Sequence, residues 1–320
     1  VYMAFIVKFY MFLYIFYSQS EFLKNNFDKS IISLILLLAP MMTSTIWLNT
    51  LVSQVYFSII VILIFFQKEN SRIFIDRFSN IIIFMAGITS ILACLLTPFF
   101  LYKYFKNKNK YNFFRFISSF IPSIFQFTIF AYSSFTNLTD ENRFFLSINK
   151  LVNFLYNVPV KSIFGTDLSK IIFYDFLNSN LLIAVSCVLI VLILLSYIAY
   201  NKLKNYKDEV LLYLVIFFIL QSIFAIYSSK YDQVQGRYAV IPSVLFILFI
   251  YRLFQINKNF KMIFFFMIIS SISLGFFEYR INNKYPQLLN CLKNCPNWKE
   301  EVGKWRLNND YALKIWDYPR

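Results

Sequence analysis

The chain predicts an all-α, polytopic membrane protein of roughly eight or nine spanning helices with a short C-terminal tail. Three observations predict it. Of the 320 residues, 59% are apolar and only 15% are charged, against about a quarter charged in a soluble domain. The charges gather between long apolar runs that reach the roughly 20 residues needed to cross a ~30 Å hydrocarbon layer. Phe-Phe, Ile-Ile and Leu-Leu doublets break the alternation that a membrane barrel would show over strands of ~10 residues.

Taken in order, the runs are Val1–Tyr17 (broken only by Lys8), Trp47–Phe66, Ile81–Tyr104, Ile117–Phe135, Leu181–Tyr200, Val210–Ser228, Ala239–Phe254 and Met262–Phe277. Ile31–Met42 would rise only about 18 Å as a helix. It is expected to be re-entrant or half-crossing, with Pro40 at its end, and such a piece needs protein or a cavity around its backbone. The bundle is expected over residues 1–278, with a long outer loop at 136–180, and the extramembrane tail over 279–320. Within the outer loop, Phe145, Ile148, Val152 and Leu155 fall near helical spacing, so Phe144–Tyr156 predicts a helix lying in the membrane interface. In the tail, Pro296 suits a first helical turn. Trp298, Val302 and Trp305 then predict one apolar face, and Glu300 and Glu301 favour the helix start. The chain opens at Val1 inside an apolar run, which reads as an N-terminal truncation.

Lys and Arg concentrate in the short loops Lys103–Arg115, Asn201–Glu209 and Tyr251–Lys261. Such loops face the cytoplasm, and single crossings between them would put all three on one side. The tail is then extracytoplasmic, and the setting is a bacterial inner membrane. The net charge of +15 does not point to nucleic acid, because the basic residues are spread over loops and a tail with no separate groove-bearing domain. The bilayer is the partner the composition demands.

The chain contains no histidine, which removes imidazole-based acid–base catalysis and Ser-His or Cys-His nucleophile pairs. No glycine-rich nucleotide loop and no metal-ligand cluster is legible. No cofactor is identifiable from the residues, and a divalent metal is left open. Gly236-Arg237-Tyr238 stands at the outer mouth of a predicted helix, with Lys230 close by. An arginine beside free helix N–H groups suits a phosphate, while an interfacial anchoring role for Arg237 and Tyr238 is the simpler explanation of them. Among the outer carboxylates, Asp140, Glu141, Asp167, Asp175, Asp232 and Glu278, none stands out by spacing as a general base, so the catalytic residue is unknown. Cys291 and Cys295 are placed for a possible disulfide in an oxidising compartment, whereas Cys94 and Cys187 read as packing residues. Asn49, Gln54, Gln126 and Gln221 sit within or near apolar runs, where helix-to-helix hydrogen bonds are expected.

Three stretches together carry a resemblance: Ala39–Lys103 with "APMMTSTIWLNTLVSQVYFSIIVILIFF" and "MAGITSILACLLTPFFLYKYFK", then "QGRYAVIPSVLFILFIYRLF", and the tail "NCPNWKEEVGKWRLNNDYALKIWDYP". They resemble a bacterial membrane-protein family related to the GT-C class of glycosyltransferases. The resemblance implies transfer of a sugar from a polyprenyl-phosphate donor on the outer face, with Arg237, Tyr238 and Lys230 near the lipid phosphate. Such enzymes are similar in using an acidic residue in the first outer loop, just after their first helix, a region not recognisable here, and Met41–Ser44 also lacks the acidic residue of its look-alikes. The alternatives are a polysaccharide polymerase, ligase or flippase of the envelope pathway, whose essential residues would lie in the 136–180 loop, or a non-catalytic, transporter-like membrane protein.

Overall fold

The structure is a computed structural model. It describes residues 2–20, 22–38, 53–68, 73–135, 147–170, 192–193, 195–201, 204, 208–229, 234, 237–281, 298–307 and 311. The chain divides into two compact units, Val1–Tyr279 and Arg280–Arg320. The first carries α1 (Tyr2–Tyr17), α2 (Asn26–Leu38), α3 (Ser53–Phe65), α4 (Ile73–Thr89), α5 (Ile91–Cys94) and α6 (Thr97–Lys106). After these come α7 (Lys110–Phe135), α8 (Ile148–Leu155), a π-helical turn at Tyr156–Val160, α9 (Lys161–Lys170), α10 (Glu209–Ser228), α11 (Arg237–Ile256) and α12 (Lys261–Ile281). The described residues form helices and no named strand.

Three of these helices are long and apolar enough to cross a membrane: Lys110–Tyr132, Glu209–Ser228 and Tyr238–Ile256. They differ in place. Every residue from Ala239 to Leu253 on α11 is buried, as is every residue from Val55 to Gln67 on and just beyond α3. By contrast, α7 turns Phe120, Ile124, Phe125, Phe127 and Ile129 outward. An apolar stripe exposed on a helix of this composition is what a lipid-facing surface looks like, since lipid tails are as apolar as the residues themselves. Most of the Leu181–Tyr200 run lies outside the described residues.

The Ile81–Tyr104 run does not form the single crossing expected of it. It breaks at Ser90 and again at Leu95–Leu96, and its two limbs run in opposite directions. The rising limb, α4, is parallel to α7: Ser79 and Arg115 both bond Gln67, Gly87 meets Pro122, and the Ile88 carbonyl accepts from Gln126. The returning limb, α6, is antiparallel to α7: the Thr97 hydroxyl is 2.7 Å from that of Ser123, and the Tyr104 ring packs at a tilt against Phe113. The result is a helical hairpin whose tip is level with Gln221. That residue stands about 18 Å up α10 from Glu209 at 1.5 Å per residue, which would be beyond the middle of a ~30 Å layer if α10 crossed one from Glu209.

Breaking a helix at that depth strands backbone carbonyls away from water. The Gln126 amide takes the Ile88 carbonyl, and the Gln221 amide takes the Leu92 carbonyl at 3.0 Å. The Ser58 and Ser90 hydroxyls meet at 2.9 Å, and the Cys94 thiol donates to the Gly87 carbonyl at 3.3 Å. The two glutamines are thus helix-to-helix ties. Cys94 is buried and free. A Cβ placed on Gly87 would lie 2.6 Å from Pro122 Cγ and 2.8 Å from its Cβ, so only glycine lets α4 approach α7 this closely.

The three basic loops come together at one end of the bundle. Lys106, from the first loop, pairs with Glu209 at the end of the second. Arg252, from the third, grips Asp208 of the second through Nη2 at 2.7 Å and Nε at 3.4 Å, with both side chains under a tenth exposed. Asp208 also caps α10 by accepting from the Leu211 N–H at 2.9 Å. The chain of bonds continues: Arg252 donates to Gln255 at 2.8 Å, and Gln255 donates to Asp28 at 2.9 Å. The Tyr251 hydroxyl donates to the same carboxylate. Asn25 and Asp28 bond each other's backbone N–H in a reciprocal cap that starts α2. The expected short helix at Ile31–Met42 is accordingly placed at Asn26–Leu38, and Pro40 lies outside the described residues.

The C-terminus of α3 is buried at this same end and has no glycine to turn it. Its last carbonyls are met in part by the turn itself, with the Gln67 N–H donating to Ile64 at 3.1 Å, and in part by cations from elsewhere: Arg115 also donates to Ile64 at 3.0 Å, and Lys103 donates to Phe65. Positive charge at a helix C-terminus also complements the macrodipole. Gln67, which follows shortly after, accepts from Tyr14 at 2.7 Å and from Arg115.

In the second unit, α13 (Trp298–Leu307) lies where a helix is expected, but its buried residue is not on the expected apolar face. Trp305 is exposed and Val302 half-buried, whereas Glu301 is buried. Its carboxylate accepts from Lys304 at 3.0 Å and from the Tyr311 hydroxyl at 3.0 Å. That hydrogen bond and the carboxylate's charge hold the Lys304 ammonium above the usual lysine range.

Candidate functional site

The end of the bundle opposite the basic loops is where α10 stops and α11 starts. Arg237 and Tyr238 are the first two residues of α11, and Tyr238 is half-buried. Pro242 lies in the early turns of the same helix. Lys230 is outside the described residues, as are Cys291 and Cys295, so their proposed roles gain no geometry. Of the outer carboxylates, Asp140, Glu141, Asp175 and Asp232 also lie outside them. Asp167 is placed on α9 and Glu278 on α12, by backbone alone.

A segment of the 136–180 loop is built into this end. Ser147 caps α8 by accepting from the Lys150 N–H at 3.1 Å. The helix then runs through a π turn containing Pro159 into α9. Phe154–Ile163 is buried without interruption. The Ser270 hydroxyl of α12 donates to the Ile163 carbonyl at 2.9 Å. The expected interfacial helix is therefore present only in part. Ile148 and Leu151 are exposed as a lipid-facing side would be, while Leu155, assigned to that same side, points inward with Phe154. The inserted stretch ends at Gly165, whose φ of 71° is a conformation glycine adopts readily and other residues only under strain.

The inward side carries charge. Lys150 is fully buried, and its ammonium donates to the Ser229 carbonyl at 2.8 Å, just past the end of α10. Lys161 and Asn157 are buried on the same stretch, and Asn157 donates to the Asn153 carbonyl at 3.0 Å. Lys150, Asn157 and Lys161 fall on one side at helical spacing, with Phe154 between them. The sequence reading of Phe144–Tyr156 rested on its apolar positions and gave Lys150 no role, and Asn157 and Lys161 lie beyond it. A buried ammonium within a membrane protein is costly and marks a place where charge is used.

Among the described residues, no three or more Cys, Asp or Glu side chains are gathered to hold a metal. The fold and this end of the molecule define a class: an all-helical protein with membrane-length apolar helices and cations buried where two of them turn. No family model, curated protein or solved structure matches the chain.

Proposed function

We propose that this chain is a bacterial inner-membrane protein of about eight or nine spans that acts on a lipid-linked sugar as a membrane-embedded glycosyltransferase of the GT-C type. Its site is the end of the bundle where α11 begins, and its tail is extracytoplasmic. The observation that supports this reading is the buried Lys150 ammonium at the α10–α11 turn. A phosphate or diphosphate on a polyprenyl carrier arrives at that level of the membrane, and buried cations, Arg237 and the α11 N–H groups suit its charge. The chain would take the sugar from the carrier, with a carboxylate outside the described residues as base. The test is sugar transfer from a polyprenyl-phosphate donor by the purified full-length protein. Arg237→Ala and Lys150→Met should each lower turnover by more than tenfold while the protein still folds. Unchanged turnover in both would sink the assignment.

The burial of Phe154–Ile163 within the bundle favours a second reading: an envelope polymerase, ligase or flippase whose essential residues lie in the outer loop. Shortening the loop within residues 136–146, with Arg237 and Lys150 intact, separates the two. Loss of polymer or ligated product with sugar transfer retained selects the second.

A further inference from the structure

The returning limb of the hairpin, α6, carries two cavities along its ten residues, and they differ in character. At its lower end a cavity of about 580 Å³ is lined by Gln19, Gln67, Lys68, Lys103, Lys106 and Glu209. It holds three ammonium groups against one carboxylate, with side-chain amides between them. At its upper end, beside the hairpin tip, an almost wholly apolar groove of about 840 Å³ is lined by Pro98, Phe99, Ile124, Phe127, Ala131 and Leu220. Phe120, Ile124 and Phe127 of that groove face outward from α7. The two meet through aromatic rings: Phe99 of the groove packs edge-on against Phe65 at 6.5 Å and Tyr213 at 6.4 Å, both of which line the basic cavity.

We propose that α6, α7 and α10 form a binding site for an anionic phospholipid. Its phosphate sits in the basic cavity and one acyl chain lies in the apolar groove. Length supports a lipid over a free anion. From Lys106 back to Thr97 is about 13 Å at 1.5 Å per residue, close to the ~15 Å of one leaflet's hydrocarbon. The site is therefore one leaflet deep, charged at the rim and apolar at the centre. Charge supports an anionic headgroup over a neutral one, and basic pockets between helices on the side of the basic loops are where such headgroups bind. The Lys106–Glu209 pair at the rim is exposed on both sides, so it holds Lys106 only weakly against a phosphate. This site is at the opposite end from Lys150 and does not rest on the proposed enzymatic activity.

The experiment is native mass spectrometry of the full-length protein released from nanodiscs of phosphatidylcholine containing phosphatidylglycerol. The expected result is one retained phosphatidylglycerol, held about thirtyfold less well by Lys68→Gln/Lys106→Gln, as two ammonium contacts near the surface imply. Ala131→Phe, which fills the groove from an exposed position, should also release it with every charge in place. Thr128→Phe serves if that variant does not fold. Equal retention of phosphatidylcholine, or retention unaltered in both variants, overturns the proposal. So does a thermal shift with inorganic phosphate in phosphatidylcholine nanodiscs that Ala131→Phe leaves intact, if no phosphatidylglycerol is retained. A dimer that Ala131→Phe splits with no lipid lost gives the groove to a second copy and overturns it as well.

Discussion

Asp208 does two jobs with one carboxylate: it caps α10 and binds Arg252 across to α11. Removing one partner from a pair this buried typically costs about 3 kcal/mol or more, because the other charge stays behind unpaired. Asp208→Ala should lower thermal stability in lipid nanodiscs by that order, and Arg252→Met likewise. The double change Asp208→Leu/Arg252→Met should cost less than the sum of the two; strict additivity would mean that the pair is not coupled. Gly87 is a steric case. A methyl group there meets the Pro122 ring, so Gly87→Ala should destabilise by about 1–3 kcal/mol, and a melting curve equal to wild type would show that α4 and α7 can part without loss. These residues also show what the sequence could reveal. Arg115 and Arg252 were legible as loop charges marking one side, and they do lie at one end. Their partners, Ile64, Gln67 and Asp208, were not legible, because partners up to 51 positions away are chosen by packing and not by spacing.

At the scale of the element, helix existence was the readable part. The long runs at Ile117–Phe135, Val210–Ser228 and Ala239–Phe254 are helices, which start at Lys110, Glu209 and Arg237, ahead of their apolar runs. The hairpin was missed because α4, α5 and α6 are all apolar and hydropathy has no sign for direction. Pro98 was the one available signal: at the start of a helix its missing N–H costs nothing, so a proline inside an apolar run could mark a fresh start. Gln126 and Gln221 were expected to tie helices together and do so, but the carbonyls they reach, 38 and 129 positions away, were not readable. Gln221→Leu should strand the Leu92 carbonyl at a cost of about 1–3 kcal/mol and speed reaction of Cys94 with a membrane-permeant maleimide. If the rate is unchanged, the tip is held by something else. At the other end, Gly165→Ala should cost about 1–3 kcal/mol, the usual strain for a side chain at such a φ.

For the molecule as a whole, the hairpin changes which segments share a side. A single crossing by Ile81–Tyr104 would put residues 68 and 108 on opposite faces. The structure puts Lys68, Lys103 and Lys106 around one cavity. Lys68→Cys and Lys108→Cys, each introduced singly with the native cysteines replaced by serine, should therefore react with an impermeant maleimide from the same side. Labelling from opposite sides would overturn the hairpin. The candidate site was legible only as Arg237 and Tyr238 at a helix start, and its buried lysines came from a loop whose insertion the sequence did not announce. The hairpin also fixes an order of assembly. Its tip needs amides that stand later in the chain, one on α7 and one on α10. A ribosome that has not yet reached α7 has made a hairpin whose tip can bond Ser58 of α3 but neither amide. The segment must wait at the membrane surface, or enter late, until α10 emerges. Nascent chains arrested before Gln221 should leave Cys94 open to an aqueous thiol reagent, and chains arrested well beyond it should not.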